Sequence, residues 1–190
     1  MRRSPPSRPP SSSASSERLS GGRLTWESGG PGDTAALGAR LATILAPGDI
    51  VLLRGELGTG KTTLVRAVAR ALGVRGPVTS PTFTVAQRYE GHAPIAHVDA
   101  YRLTAPDDED ADLVRTALED AIGLVEWPDA VIAVIPDARL ELELRHLGGD
   151  RRLVLFDARE PDARSELVRL IADLRARHRH REPESGPRPG

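Results

Sequence analysis

The stretch Gly55-Glu56-Leu57-Gly58-Thr59-Gly60-Lys61-Thr62 places two glycines five positions apart, then a lysine, then a threonine. Each residue type has a physical use at that spacing. Glycines let the backbone curl so that successive N–H groups point inward at an anion. A helix opening at Lys61 adds its N-terminal dipole. The Lys61 ammonium can then bridge the β- and γ-phosphates of a nucleoside triphosphate, and the Thr62 hydroxyl can ligate Mg²⁺. Glu56, Leu57, Gly58, Thr59, Gly60, Lys61, Thr62 and Thr63 are the expected nucleotide contacts. Lys61 is also the only lysine among 26 basic residues. A chain that uses arginine elsewhere keeps a compact ammonium at the one place where a planar fork cannot substitute.

Phosphate binding alone hydrolyses nothing; an acid near the metal and a group that orients water are also needed. Two apolar runs end in an acid, Ile95-Ala96-His97-Val98-Asp99 and Leu124-Val125-Glu126. Strand ends of that kind lie beside a phosphate loop. Asp99 and Glu126 are therefore the candidate catalytic acids, with Glu126 and Thr62 as metal ligands; a helix cap or a surface ion pair is the bland alternative for either acid. Trp127, followed by Pro128, is read as a wall of the nucleotide site or a partner contact. Tyr101 stands close to Asp99 and Phe83 is read as core. Thr82 and Thr84 form either a mobile switch segment or a polar strand edge. Arg102 reads as a phosphate contact or a structural ion pair, and His97 as a satisfied core histidine. Guanine selectivity in related GTPases uses an Asn-Lys-x-Asp element, and this chain has neither asparagine nor a second lysine. The nucleotide is therefore expected to be ATP.

Elements must position these groups. Arg23–Glu27 reads as a first strand, followed by a helix capped at Asp33 or Thr34 with Leu37 and Leu41 inward. Ile50–Arg54 is a strand leading into the loop, and a helix from Lys61 to about Leu72 buries Leu64 and Val68 and stops at Gly73. Thr82–Tyr89 and Ile95–Asp99 read as strands. The acidic stretch 106–121 carries Leu113, Ala117 and Leu118 at helical spacing, and its acids read as a solvated helix start. Leu140, Leu142 and Leu144, then Leu153 and Leu155, alternate with polar residues as a hairpin with one wet face. Glu166–Arg177 is a last amphipathic helix. The sum is an α/β chain, a three-layer P-loop NTPase fold with a mixed central sheet.

Composition sets the boundaries. Residues 1–22 hold four arginines against one glutamate with almost no apolar content, and read as a disordered tail. A folded domain is expected over 23–175, with a disordered basic tail over 176–190. The net charge of −1 leaves −7 for the part between residues 22 and 175, which argues against a basic nucleic-acid face there. Cysteine is absent, so disulfides and thiolate metal sites are excluded. No apolar run approaches the roughly 20 residues needed to cross a bilayer, and the expected location is the cytoplasm, with no membrane partner.

Taken together, Gly55-Glu-Leu-Gly-Thr-Gly-Lys-Thr-Thr63, Ser80-Pro-Thr-Phe-Thr84, His97-Val-Asp-Ala-Tyr-Arg-Leu103 and Glu126-Trp-Pro128 resemble the TsaE (YjeE) family, in order and interval, over about residues 24–156. The resemblance implies a weak ATPase acting with the TsaB and TsaD proteins. That pair transfers threonylcarbamoyl to N6 of an adenosine next to the anticodon, in tRNAs reading codons that begin with A. It implies contact with tRNA only through the complex, Asp99 as the family's essential aspartate, and Glu126 as its glutamate near the metal. Ala100 departs from the family's usual leucine, 104–121 is more acidic than usual, and both tails are extra. A nucleotide-dependent switch, in which binding rather than turnover matters, and a small-molecule kinase are the other readings; no lid with paired arginines supports the kinase.

Overall fold

The computed structural model describes residues 23–81, 84–159 and 161–179. Thr82, Phe83 and both tail segments (1–22 and 180–190) lie outside the described residues. Seven strands form one sheet: β1 (Leu24–Ser28), β2 (Ile50–Arg54), β3 (Ala86–Tyr89), β4 (Ile95–Asp99), β5 (Ile122–Glu126), β6 (Leu140–Gly148) and β7 (Arg151–Ala158), in the order β1-β7-β6-β2-β5-β4-β3. The centre is parallel, with β2 between β5 and β6 and β4 beside β5. The flanks, β3 on one side and β7 with β1 on the other, are antiparallel. The mixed sheet expected from the late hairpin is therefore present.

Among the described residues four α-helices complete the layers: α1 (Pro31–Leu41), α2 (Lys61–Ala71), α3 (Asp108–Leu118) and α4 (Pro161–Arg179). Strand β2 shows why both sheet faces must be covered. Its Val51 and Leu53 pack with Leu37, Leu64 and Leu167 from α1, α2 and α4. Its Ile50 and Leu52 pack on the opposite face with Val114 and Leu118 from α3. An unbroken apolar strand is what such a two-sided burial demands. Among the described residues, no helix is long and apolar enough to cross a membrane.

Several expectations are corrected. Helix α1 starts earlier than a cap at Asp33 or Thr34 would allow: Pro31 occupies the first turn, where a missing N–H costs nothing, and Asp33 instead accepts from Gly29 N at 2.7 Å. In α3 the buried position is Val114, while Leu113 is exposed; Asp107 caps the helix by accepting from Asp110 N. In β7 the buried residues are Val154 and Phe156, not Leu153 and Leu155. The run Leu-Val-Leu-Phe is apolar at every position, so alternation cannot choose a face. Register does, by pairing Leu144 with Val154 and Leu142 with Phe156. Helix α4 begins at Pro161, not Glu166, and runs to Arg179, past the boundary expected at 175; Ala163 is fully buried in its first turn, too small to stand out in a stripe of leucines.

Helices α1 and α2 pack backbone to backbone at Gly38. A Cβ there would lie 2.4 Å from Ala67 Cβ and 2.9 Å from Val68 N. Overpacking costs typically about 1–3 kcal/mol, and the better helix propensity of alanine returns at most about 1 kcal/mol. Gly38→Ala should therefore destabilise the chain by about 1–2 kcal/mol in urea unfolding. An unchanged or raised midpoint would show that the helices part at no cost.

Candidate functional site

The loop of residues 55–60 joins the end of β2 to the start of α2. Two neighbours fix its path. Gly55 has φ 129°, in the left-handed region, and a Cβ there would sit 2.2 Å from the Leu144 carbonyl of β6, so only glycine fits. Arg152 of β7 donates from Nε to the Thr59 carbonyl at 3.1 Å, and from its terminal nitrogen to Gly149 O and Arg151 O at 2.8 and 2.9 Å. The β6–β7 hairpin thus clamps the loop. Sequence reading missed Arg152, because a strand arginine gives no signal that it reaches a glycine-rich turn.

Lys61 is buried, and its Nζ donates to the carbonyls of Gly55 and Glu56 at 2.7 and 2.9 Å. The same atom lies 3.8 Å from the centroid of the Trp127 ring. Burial pushes the ammonium's pKa below lysine's ordinary value, while the charges of Glu126 and Asp99 act to raise it. Trp127 itself has φ 56° and ψ 53°, left-handed for a bulky residue. Arg54 at the end of β2 holds the following turn in place, bonding Asp129 from one terminal nitrogen and Glu141 Oε1 from Nε at 2.9 Å. Tyr101 leans on Trp127, ring centroids 4.9 Å apart.

The two acids are register partners: Asp99 and Glu126 end adjacent parallel strands and lie directly opposite each other. Glu126 is buried. Its Oε2 accepts from Thr62 Oγ1 at 3.0 Å, and its Oε1 lies 2.9 Å from His97 Nε2. Asp99 accepts from Ser80 Oγ, and from Tyr101 N at 3.1 Å. Neither acid is a helix cap or a surface ion pair. The histidine expected to be a satisfied core residue is half so, since its Nδ1 has no hydrogen-bond partner among the described residues.

These groups line one cleft of about 610 Å³. Leu57, Gly58, Gly60, Lys61, Thr62 and Thr63 reach it from the loop and α2, and Asp99, Glu126 and Trp127 from the strand ends. Arg102 lines it too. Two expected contacts do not. Thr59 is buried and donates to the Glu56 carbonyl at 2.9 Å, bracing the loop from within. The Glu56 side chain points to solvent, while its carbonyl serves Lys61. Thr84 is exposed and bonded to Ala86 O, whereas Ser80 and Pro81 of the same block line the cleft.

The donor set suits a divalent cation bound together with phosphates. Thr62 gives its hydroxyl hydrogen to Glu126 and keeps its oxygen lone pairs. Asp99 and Glu126 face Lys61 and Arg102 across the same cleft. Among the described residues no group of three or more metal-ligating side chains of the His, Cys, Asp or Glu type gathers. A hydroxyl with one or two carboxylates is the partial shell that Mg²⁺ chemistry uses, phosphates and water completing it.

The parallel centre, the strand-loop-helix turn and acids on the neighbouring strand ends define an α/β protein of the P-loop class. The family model for threonylcarbamoyl adenosine biosynthesis protein TsaE matches residues 30–154. The chain belongs to the TsaE family. It is 46% identical over 118 residues to the tRNA threonylcarbamoyladenosine biosynthesis protein TsaE of Streptomyces coelicolor, covering 60% of this chain and 80% of that protein. The Bacillus subtilis protein of the same name is 35% identical over 137 residues, 72% of this chain and 86% of its own. The crystal structure of Bacillus subtilis YdiB superposes with a TM-score of 0.64 at 29% identity, over 83% of this chain and 96% of that one.

Proposed function

We propose that this chain binds ATP with Mg²⁺ in the cleft and hydrolyses it slowly, in support of tRNA threonylcarbamoyladenosine modification, as a cytoplasmic partner of TsaB and TsaD. Membership of the TsaE family supports the pathway. The observation that carries the chemistry is the hydrogen bond between Thr62 Oγ1 and Glu126 Oε2, which joins the loop hydroxyl to a strand-end acid beside Lys61.

In this reading Lys61 exchanges the carbonyls of Gly55 and Glu56 for phosphate oxygens, and Trp127 walls off that side of the ammonium from water. Thr62 and Glu126 would hold Mg²⁺. Bound there, the metal would neutralise charge that develops on the phosphates. Asp99 and Glu126 share the orientation of the attacking water. Its oxygen bonds to the γ-phosphorus as the bond to the β–γ bridging oxygen breaks, ADP leaves with that oxygen, and the proton that water loses passes to an oxygen of the phosphate released. Two carboxylates fixed by the sheet ladder hold that geometry without reorganising during the step.

A second reading is a switch in which partners sense bound ATP and turnover is secondary. One contact favours it: Ser80 links Asp99 to the segment leading to Thr82 and Thr84, so an acid of the site is tied to a loop at the cleft mouth. Hydrolysis measured with and without purified TsaB, TsaD and tRNA tests the proposal. Binding of the chain to the pair and stimulated turnover are expected. The absence of both binding and stimulation would sink it.

A further inference from the structure

We infer that His97 is a positioning residue for Glu126: with its proton on Nε2, the imidazole holds one carboxylate oxygen and thereby aims the other at Thr62. Three observations carry this. His97 is completely buried and Glu126 nearly so. The register pairs His97 with Leu124, so Glu126, two residues on, stands on the same sheet face, the one that α2 covers. The 2.9 Å contact to Glu126 is the imidazole's hydrogen bond; Nδ1 has none among the described residues.

The orphaned nitrogen sets the tautomer. A buried N–H without an acceptor is costly, and a bare Nε2 would set its lone pair against a carboxylate oxygen 2.9 Å away. The hydrogen therefore sits on Nε2 and is donated to Oε1. The bare Nδ1 is buried. Glu126 then receives two hydrogens, one per oxygen, from His97 and Thr62, and its carboxylate is locked in rotation. A leucine would fill the same apolar space between Ile95 and Leu124, so the imidazole's polarity is spent on the acid. Groups behind a metal ligand tune affinity in this way, by about 10- to 100-fold. The part of the inference that concerns the metal rests on the function proposed above; the tautomer does not.

Two measurements test it. Long-range proton–nitrogen correlation on nucleotide-free protein labelled with ¹⁵N-histidine should show His97 with Nε2 protonated and Nδ1 bare. A protonated Nδ1 overturns the inference whatever the protein does with ATP. Turnover is then titrated with Mg²⁺ for His97→Leu and His97→Gln, the glutamine amide retaining a donor where Nε2 stood. His97→Leu should raise the Mg²⁺ needed for half-maximal turnover by about tenfold, and His97→Gln should recover most of that loss. Wild-type behaviour in His97→Leu, or equal loss in both variants, assigns the histidine to packing alone. If the wild-type chain neither binds nor hydrolyses ATP, the proposed function fails and the nitrogen spectrum alone decides the tautomer.

Discussion

Lys61→Ala loses ATP binding and turnover together, with hydrolysis falling by about 10²- to 10³-fold or more, while the apo protein melts near the wild-type temperature. The two halves of that result have separate causes. In the free protein Nζ is tied to Gly55 O and Glu56 O, carbonyls of the loop itself. Burial disfavours the charged amine and pushes its pKa down, and that cost offsets the two carbonyl bonds that the alanine loses. The ligand does, because charge-assisted bonds to phosphate have no other cationic donor in the loop. Lys61→Arg should not restore function, since Nζ sits between two loop carbonyls at 2.7 and 2.9 Å and a wider planar fork does not reproduce a compact ammonium there. Thermal shift with and without ATP and Mg²⁺ checks it: wild type gains stability with ligand and both variants do not. A normal ligand shift in Lys61→Ala would falsify the phosphate-loop reading outright.

Glu126→Gln should separate binding from turnover. The amide keeps the size and can still meet His97 and the Thr62 hydroxyl, so the buried contacts survive. What disappears is one negative charge beside the metal position. ATP affinity should change by only a few-fold, since Lys61 and the loop amides remain. Turnover should fall by about 10²- to 10⁴-fold. Single-turnover hydrolysis alongside equilibrium binding measures both. If Glu126→Gln binds ATP normally and still supports tRNA modification at the wild-type rate, hydrolysis is not the purpose of the site and the switch reading takes its place.

How much of this was legible in the residues depends on where each signal lives. The loop was legible because its chemistry is local: spacing, an apolar strand before it and an amphipathic helix after it. The acids were legible because each ends an apolar run, and the parallel register then sets Asp99 against Glu126. Facing in β7 was not, because Leu153, Val154, Leu155 and Phe156 are all apolar and only pairing with β6 selects Val154 and Phe156. Arg152, Arg54 and Ser80 were missed as supports for the same reason. Each meets its partner across a distance in sequence that no spacing rule encodes: Arg152 is 93 residues from Thr59, Arg54 is 75 from Asp129 and Ser80 is 19 from Asp99. His97 was read for its burial, and burial alone does not say which polar atom waits beside a buried ring.

The solitary lysine has a practical side. A chain whose other basic residues are arginine and histidine carries a single side-chain amine, and the fold has set that amine inside the cleft under an indole ring. Grown on isotopically labelled lysine, the protein would report through one side-chain ammonium signal, free of overlap. That signal belongs to the atom that now holds two backbone carbonyls and, in the function proposed, would leave them for phosphate. Composition has in effect built a reporter into the molecule, on the lining of the cleft itself.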